Sequence, residues 1–320
     1  MSGEKVPREL KYNDLGDKPV AAIDCGTNSI RLLISRRARG RTSDVVRLMR
    51  IVRLGEGVDT TGRLSSAALE RTGAALSDYA AIISEHGVES VRMVATSASR
   101  DADNAEEFRE LVTGILGVAP QVISGDEEAR LSFEGAVADL PAANEPRLVV
   151  DIGGGSTEFV RGIGDAEAAR SVNIGCVRMT ERHLRDDPPT AAQIAAATAD
   201  ITEAVDAALD AVDPDRSAAS FIGLAGSVTT VAALAMGLES YDPQRIHHAE
   251  ISYQDVAKVT EELLGATRAQ RLDRGPMHPG RADVIGGGAL VLRIAMERAG
   301  AETVVASEHD ILDGIAASLY

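Results

Sequence analysis

The sequence contains no tryptophan, and only 3% of its 320 residues are aromatic. Base stacking on aromatic side chains is therefore disfavoured as a main binding mode. The two cysteines, Cys25 and Cys176, show no Cys-x-x-Cys spacing and predict neither a disulfide scaffold nor a zinc site. A reducing, cytoplasmic environment is the simplest inference from them.

The chain also lacks a long apolar run. No stretch reaches the roughly 20 residues that a membrane-spanning helix needs, and the polar N-terminus has no apolar segment typical of a secretion signal. We therefore expect no membrane partner, and a flexible lead-in over residues 1–18. The net charge of −16 argues against nonspecific nucleic-acid binding, which depends on neutralising phosphates.

Positive charge is concentrated in residues 28–53. That stretch holds eight arginines and one acid, Asp44, for a local balance of 8 − 1 = +7. Two interpretations stay open. The arginines form the solvated face of a hairpin, or they attract a polyanion to an otherwise acidic protein.

The length fits about two domains of roughly 150 residues each. Short apolar strands alternate with helices along both halves, which predicts an α/β fold. A strand–glycine loop–strand unit opens each half, so we expect two structurally related domains around a cleft. The expected bounds are 19–125 for the first domain, completed by a C-terminal helix at 307–320, and 126–306 for the second.

Two related strings carry the first functional signal. DCGTNSIR spans residues 24–31 and DIGGGSTE spans 151–158, and both read Asp-x-Gly-x-x-Ser after an apolar strand. Glycines allow backbone N–H groups to turn toward one point and to approach a ligand closely. We predict that the loops bind phosphate, against the alternative of two unrelated hairpin turns. The candidates are Gly26, Thr27, Asn28, Ser29, Gly153, Gly154, Gly155, Ser156 and Thr157.

Further candidates lie near these loops. Gly226 and Ser227 begin a predicted helix whose N-terminal amides can bind another phosphate. Arg31 follows the first loop. Two roles stay open for it: it binds substrate phosphate, or it is an ordinary surface residue.

Three carboxylates accompany the loops: Asp24, Asp151 and Glu158. Glu158 stands where the first copy has Arg31. An acid beside a phosphate loop is unfavourable unless a cation intervenes, and Mg²⁺ commonly takes one or two carboxylates plus substrate oxygens. We predict that these three residues hold Mg²⁺, with Mn²⁺ as the alternative. A solvated strand carboxylate is the competing interpretation for Glu158.

The segment SGDEEARL, residues 124–131, contains two adjacent glutamates. Ser124 and Glu127 have the spacing of a capping box, which gives Glu127 a structural task. Glu128 has no such task and is expected to project from the first turn of the helix. His247 and His248 have no acidic partner at ligand spacing in the sequence, and we interpret them as structural.

Six motifs together resemble one known family. DCGTNSIRLLI, ATSASR, ISGDEEARL, DIGGGSTEF, GLAGSVTTVAAL and RADVIGGG are similar to those of the exopolyphosphatase / guanosine pentaphosphate phosphohydrolase family. The resemblance runs from about residue 20 to the C-terminus. It implies two RNase H-like domains of the actin/Hsp70/sugar-kinase class, in a short form without the additional C-terminal helical domains.

The resemblance also assigns roles. The second glutamate of the family's GxEEA string corresponds to Glu128 and implies a general base that activates water. Arg100, which ends ATSASR, implies a phosphate-binding arginine, and a guanidinium fork suits phosphate. The C-terminal SEHDILDG is more acidic than the family pattern, which puts a basic contribution from that helix in doubt.

The leading functional hypothesis is a hydrolase of phosphoanhydride bonds. We predict an exopolyphosphatase that releases terminal phosphate from inorganic polyphosphate and favours short chains. Hydrolysis of the 5′-phosphate of guanosine pentaphosphate (pppGpp) is the first alternative, and (p)ppGpp as an inhibitor is a related one. Alternatives of other classes are a non-catalytic polyphosphate or alarmone sensor and an ATP-dependent kinase. A homodimer through the helix at 190–212 is also predicted.

Overall fold

The computed structural model of the chain describes residues 18–38, 41–141 and 144–320. The predicted lead-in lies outside these residues except for Lys18. Arg39 of the arginine-rich stretch lies outside them as well.

The first half forms a five-stranded sheet with helices around it. Its strands are β1 Val20–Cys25, β2 Ser29–Ala38, β3 Arg41–Ile51, β4 Ser90–Ala95 and β5 Gln121–Val122. Its helices are α1 Val58–Thr61, α2 Ser66–Glu85, α3 Ser97–Asp101, α4 Ala105–Leu116 and α5 Gly125–Val137. The strand order is β3-β2-β1-β4-β5, with β1 antiparallel to β2 and parallel to β4. Tyr79 and Phe108 are fully buried in the core under this sheet.

The second half repeats this arrangement. Its strands are β6 Arg147–Ile152, β7 Thr157–Ile163, β8 Asp165–Val172, β9 Ser220–Leu224, β10 Glu250–Ser252 and β11 Thr303–Ala306. The order β8-β7-β6-β9-β11 matches β3-β2-β1-β4-β5, and β10 adds an antiparallel neighbour to β11. The two matching mixed sheets confirm the predicted fold class of two RNase H-like domains.

The helices of the second half cover its sheet and extend to the C-terminus. They are α6 Cys176–His183, α7 Ala191–Val212, α8 Ala225–Ala235, α9 Pro243–Ile246, α10 Tyr253–Gly265, α11 Arg268–Leu272, α12 Ile285–Ala299 and α13 Ile311–Ala317. The main core lies between this sheet, α7 and α12. Among the described helices, none combines the length and apolar character needed to cross a bilayer.

The chain crosses between the two sheets twice. It leaves the first sheet through α5 and returns from β11 through residues 307–310 to α13, which packs on β1, β2 and α5. Glycines permit this close helix crossing. A Cβ atom on Gly135 would collide with the carbonyl of Asp310, and one on Gly314 would collide with the carbonyl of Leu131.

Local capping signals are largely confirmed. Ser65 caps α2 by accepting a hydrogen bond from the Ala68 amide at 3.2 Å. Ser124 caps α5 in the same way through the Glu127 amide at 3.2 Å. The predicted capping box is wrong in its second half, because the Glu127 side chain accepts a bond from Arg92 at 3.0 Å instead.

The arginine-rich stretch forms part of β2 and β3, and β3 is mostly exposed. Several of its arginines are ion-paired: Arg47 with Asp44 and Asp313, Arg50 with Asp78, and Arg53 with Asp283. These pairs favour the interpretation of a solvated hairpin face.

Candidate active site

The two glycine-rich loops have the same backbone geometry. The Gly26 amide donates to the Ser29 carbonyl at 3.0 Å, and the Gly153 amide donates to the Ser156 carbonyl at 3.0 Å. Each loop therefore closes a hairpin between the first two strands of its sheet. The sequence repeat is a structural repeat as well.

The strand register places the residues around each loop in direct opposition. Asp24 pairs with Arg31 across β1 and β2, and Asp151 pairs with Glu158 across β6 and β7. Directly opposed side chains on one face lie close enough to interact. The first loop thus carries an acid–base pair, and the second carries two acids.

The loops touch each other across the cleft. A Cβ atom on Gly155 would lie 2.6 Å from Ser97 Oγ and 2.8 Å from Thr27 Oγ1. The Thr27 and Ser97 hydroxyls share a hydrogen bond of 2.8 Å. Only glycine allows the second loop to approach the first this closely.

A helix N-terminus completes the ring of backbone amides. α8 begins at Ala225, whose φ of 66° is left-handed, an uncommon value for a residue with a Cβ atom. Gly226 follows and is covered by the Arg281 guanidinium, and Ser227 is buried. Strained backbone of this kind clusters at functional sites.

A cluster of buried carboxylates lies beside the loops. Glu128, Asp151 and Glu158 are 8%, 7% and 1% exposed. Ser132 donates to Asp151 at 2.6 Å, and Ser171 donates to Glu158 at 2.7 Å. Each acid is therefore held in place by a neighbouring side chain.

The protonation of this cluster is strongly perturbed. Burial raises the pKa of Glu128 to about 8 and that of Asp151 to about 6, with further contributions from neighbouring carboxylates. Burial, Glu128 and Asp151 together raise the pKa of Glu158 well above its usual value. Buried acids repel one another when ionised, and a bound cation would relieve that repulsion. An all-oxygen carboxylate set fits Mg²⁺.

Asp24 has a different environment. It accepts hydrogen bonds from Arg31 Nε at 3.0 Å and Nη2 at 2.6 Å. Burial still raises its pKa, although Arg31 opposes the change. Arg31 Nη1 also donates to Asp310. Arg31 thus bridges two acids, so a phosphate must compete with carboxylates for its guanidinium.

Arg100 contacts the candidate base. Its Nη1 donates to Glu128 Oε2 at 3.2 Å and to the Ile123 carbonyl at 2.9 Å. In this position Arg100 favours the ionised form of Glu128. Its phosphate-binding role stays a prediction.

Most of the sequence-predicted residues line one cleft of about 110 Å³. They are Asp24, Gly26, Thr27, Asn28, Ser29, Arg31, Glu128, Asp151, Gly153, Gly154, Ser156, Gly226 and Ser227. Three others adjoin these residues: Gly155 approaches Thr27, Arg100 donates to Glu128, and Glu158 is paired with Asp151. Thr157 is fully buried in β7, where its hydroxyl donates to the Ile174 carbonyl at 2.8 Å. That bond gives the Thr157 side chain a structural role, and its phosphate contact stays a prediction.

Sequence reasoning missed several residues of the site. Asp310, Arg281 and Ser97 all approach the cleft, and Ser132 and Ser171 support its acids. SEHDILDG is more acidic than the family pattern, and this difference is the sequence signal that could have identified Asp310. Distance along the chain hid its contact with Arg31, since 279 residues separate them.

Neither cysteine has the environment of a nucleophile, and two of the histidines have an acidic neighbour. Burial raises the pKa of both Cys25 and Cys176, which disfavours a nucleophilic thiolate. His247 and His248 are interpreted as structural because no acid stands at ligand spacing from them in the sequence. The fold brings Asp139 to both of them from a position about 108 residues away.

Comparisons with known proteins agree with this geometry. Exopolyphosphatase 2 of Mycobacterium tuberculosis is 51% identical over 313 residues, which cover 94% of this chain and 98% of that protein. A crystal structure of an exopolyphosphatase-like protein superposes with a TM-score of 0.90 at 47% identity, covering 93% of this chain and 98% of that one.

A third relative is named for a different activity. Guanosine-5′-triphosphate,3′-diphosphate pyrophosphatase of Photobacterium profundum is 40% identical over 195 residues, 61% of this chain and 38% of that protein. The model of the Ppx/GppA phosphatase family matches residues 33–319. Because this match covers most of the chain, the protein belongs to the Ppx/GppA phosphatase family.

Proposed function

We propose that the protein is an exopolyphosphatase that hydrolyses the terminal phosphoanhydride bond of inorganic polyphosphate. One observation carries the proposal: a buried glutamate, Glu128, faces a cleft bounded by two phosphate loops and a pair of further carboxylates. The 51% identity to an exopolyphosphatase over almost the full length of both chains supports the same substrate.

The chain supplies binding and proton transfer. Backbone amides of the two loops and of the α8 N-terminus hold phosphate oxygens and align the end of the polyphosphate. Glu128 accepts a proton from a water molecule whose oxygen bonds to the terminal phosphorus. The P–O bridge then breaks, and the shortened chain keeps the bridging oxygen. Positioning and electrostatics account for most catalysis of this type.

Asp151 and Glu158 are the proposed holders of Mg²⁺, with Mn²⁺ as the alternative. Asp24 is the proposed third ligand. It lies on β1 of the first sheet and is paired with Arg31. A bound ion would supply positive charge that neutralises phosphate oxygens and the buried acids. Even with Arg100 beside it, Glu128 has a pKa of about 8 and would be largely protonated at neutral pH without a further positive charge.

The pppGpp alternative is supported by a second cavity. This cavity of about 430 Å³ shares Arg31, Gly226 and Arg281 with the catalytic cleft. Tyr241 and Met277 are among the side chains that line it. The cavity is large enough for a nucleoside, which could contact its apolar side chains. Inorganic polyphosphate has no apolar group that could do so.

A phosphate-release panel separates these functions. We expect release from short or long polyphosphate to exceed release from pppGpp and ATP by at least about tenfold in kcat/KM, and to require Mg²⁺ or Mn²⁺. Faster phosphate release from pppGpp than from polyphosphate would show that the protein is a pppGpp phosphohydrolase instead. Release from none of the four substrates, with binding retained, would favour the non-catalytic sensor. The cytoplasmic location and a homodimer through α7 stay predictions from the sequence.

A further inference from the structure

Three of the six histidines converge on one carboxylate outside the catalytic cleft. Asp139 Oδ2 lies 2.9 Å from His247 Nε2 and 3.2 Å from His309 Nδ1. Asp139 Oδ1 lies 3.4 Å from His248 Nε2. The Asp139 oxygen and the two nitrogens from His247 and His309 all lie within 4.8 Å of one another.

We propose that Asp139, His247 and His309 form a binding site for a zinc-class divalent ion, with His248 adjacent to it. Zinc binds histidine nitrogen and carboxylate oxygen at about 2.0–2.2 Å, so tetrahedral neighbours stand about 3.3 Å apart. The distances from Asp139 Oδ2 to His247 Nε2 and to His309 Nδ1, 2.9 and 3.2 Å, fall near that value. Imidazole-rich sets favour zinc-class ions, whereas Mg²⁺ and Ca²⁺ prefer oxygen ligands.

His248 gives an independent indication. Its Nε2 atom is buried without a hydrogen-bond partner among the described residues. Its backbone is left-handed, with φ of 64°, and its amide donates to the Ala306 carbonyl at 2.7 Å. A strained residue whose buried nitrogen faces an acid is consistent with a ligand at this place.

The backbone around the cluster is also anchored. Ser307 Oγ donates to the His309 carbonyl at 2.8 Å and accepts from the His309 amide at 3.1 Å. Asp139 lies in the turn directly after α5. The backbone of His309 is therefore ordered before any ion binds, which lowers the ordering cost of binding.

One hydrogen bond must change when the ion binds. The Glu308 amide donates to His247 Nδ1 at 3.2 Å, which assigns the ring proton to Nε2. The ion replaces that proton, and His247 then carries its proton on Nδ1. The Glu308 amide must move away from it. Binding therefore changes the hydrogen bonding of residues 307–310. The same crossover segment carries Asp310, which accepts a hydrogen bond from Arg31.

The location suggests what the ion would do. Asp139 follows α5, and His309 precedes α13, so the ion would join the two segments by which the chain crosses between its sheets. A metal at such a junction restricts the relative movement of the domains. The site is separate from the Mg²⁺ site proposed above, and neither proposal depends on the other.

The test is a Zn²⁺ titration of the full chain by calorimetry, after chelator treatment and with excess Mg²⁺ present throughout. We expect one Zn²⁺ per chain, and Co²⁺ in its place should give the visible absorption of a tetrahedral site. Asp139→Asn and His309→Ala should each weaken binding by at least about tenfold. His183→Ala is the matched control, because His183 donates to Asp200 at 2.8 Å in an ordinary His–Asp pair.

Several results would overturn the proposal. Wild-type protein that binds no Zn²⁺ would show that the cluster is only a hydrogen-bonded network. Zinc lost in Glu158→Gln but retained in His309→Ala would place the ion at the catalytic carboxylates. Circular dichroism of each variant checks folding. If Asp139→Asn unfolds, His247→Gln with the Co²⁺ spectrum decides the matter.

Discussion

At the scale of single residues, one position distinguishes the two halves of the site. Arg31 and Glu158 occupy the same place after matching loops and face Asp24 and Asp151 across the hairpin. The first pair neutralises its own charge. The second leaves two buried acids together, and Glu128 adds a third. This difference turns one of two similar loops into a candidate cation site.

The raised pKa of Glu128 leads to a prediction about stability. Its pKa is about 8 in the folded protein, against an ordinary value of 4.5 for a glutamate. Between these values the folded state binds more protons than the unfolded state, so stability should fall as pH rises from about 5 to 8. One extra proton corresponds to a slope of at most about 1.4 kcal/mol per pH unit. Denaturant unfolding without divalent ions, at several pH values, measures it.

Glu128→Gln should flatten this slope, because the uncharged amide cannot titrate and no longer repels Asp151 and Glu158. Excess Mg²⁺ should flatten the slope of the wild type for a similar reason. A Glu128→Gln protein with the wild-type slope would show that Glu128 is not the perturbed group.

At the scale of elements, local signals predicted the structure well. Each glycine loop joins the first two strands of its sheet, as the strand–glycine loop–strand units predicted. The Ser124 cap was also predicted, but the destination of the Glu127 side chain was not. Arg92 lies 35 residues from Glu127 in sequence and becomes its partner only through the packing of β4 beside α5.

Helix α6 connects the second loop to the first half of the chain. Arg178 Nε donates to the Gly155 carbonyl at 2.8 Å, and its Nη atoms donate to Asp59 at 2.6 Å and Asp101 at 2.5 Å. The side chain is only 12% exposed. One guanidinium group of Arg178 thus joins the second glycine loop to two acids of the first half of the chain. Lysine cannot form this set of hydrogen bonds.

Arg178→Lys should therefore reduce kcat/KM for polyphosphate by about tenfold or more, since hydrogen bonds to charged groups contribute about 1.5–3 kcal/mol each. Steady-state phosphate release measures this effect. Arg109→Lys is the matched control, because Arg109 pairs with Glu106 on the exposed face of α4. Equal activity of the two variants would contradict the positioning role of Arg178.

At the scale of the whole molecule, the sequence predicted two similar α/β domains and the loops between which the site lies. We keep 19–125 with 307–320, and 126–306, as the proposed domain bounds, because α13 packs on the first sheet and α5 also packs against the second. Contacts between distant segments were beyond prediction. Asp310 with Arg31, and Asp139 with His309, meet only where the crossover segments pack together.

The most direct test of the account compares Glu128→Gln with Glu127→Gln on short polyphosphate, measuring both phosphate release and substrate binding. Removing a general base typically lowers the rate by about 10²–10⁴-fold. We expect that loss in Glu128→Gln with binding retained. Glu127→Gln should keep activity near the wild-type level, since Glu127 is half-exposed and pairs with Arg92. A Glu128→Gln protein that releases phosphate as fast as the wild type would contradict the proposed role of Glu128.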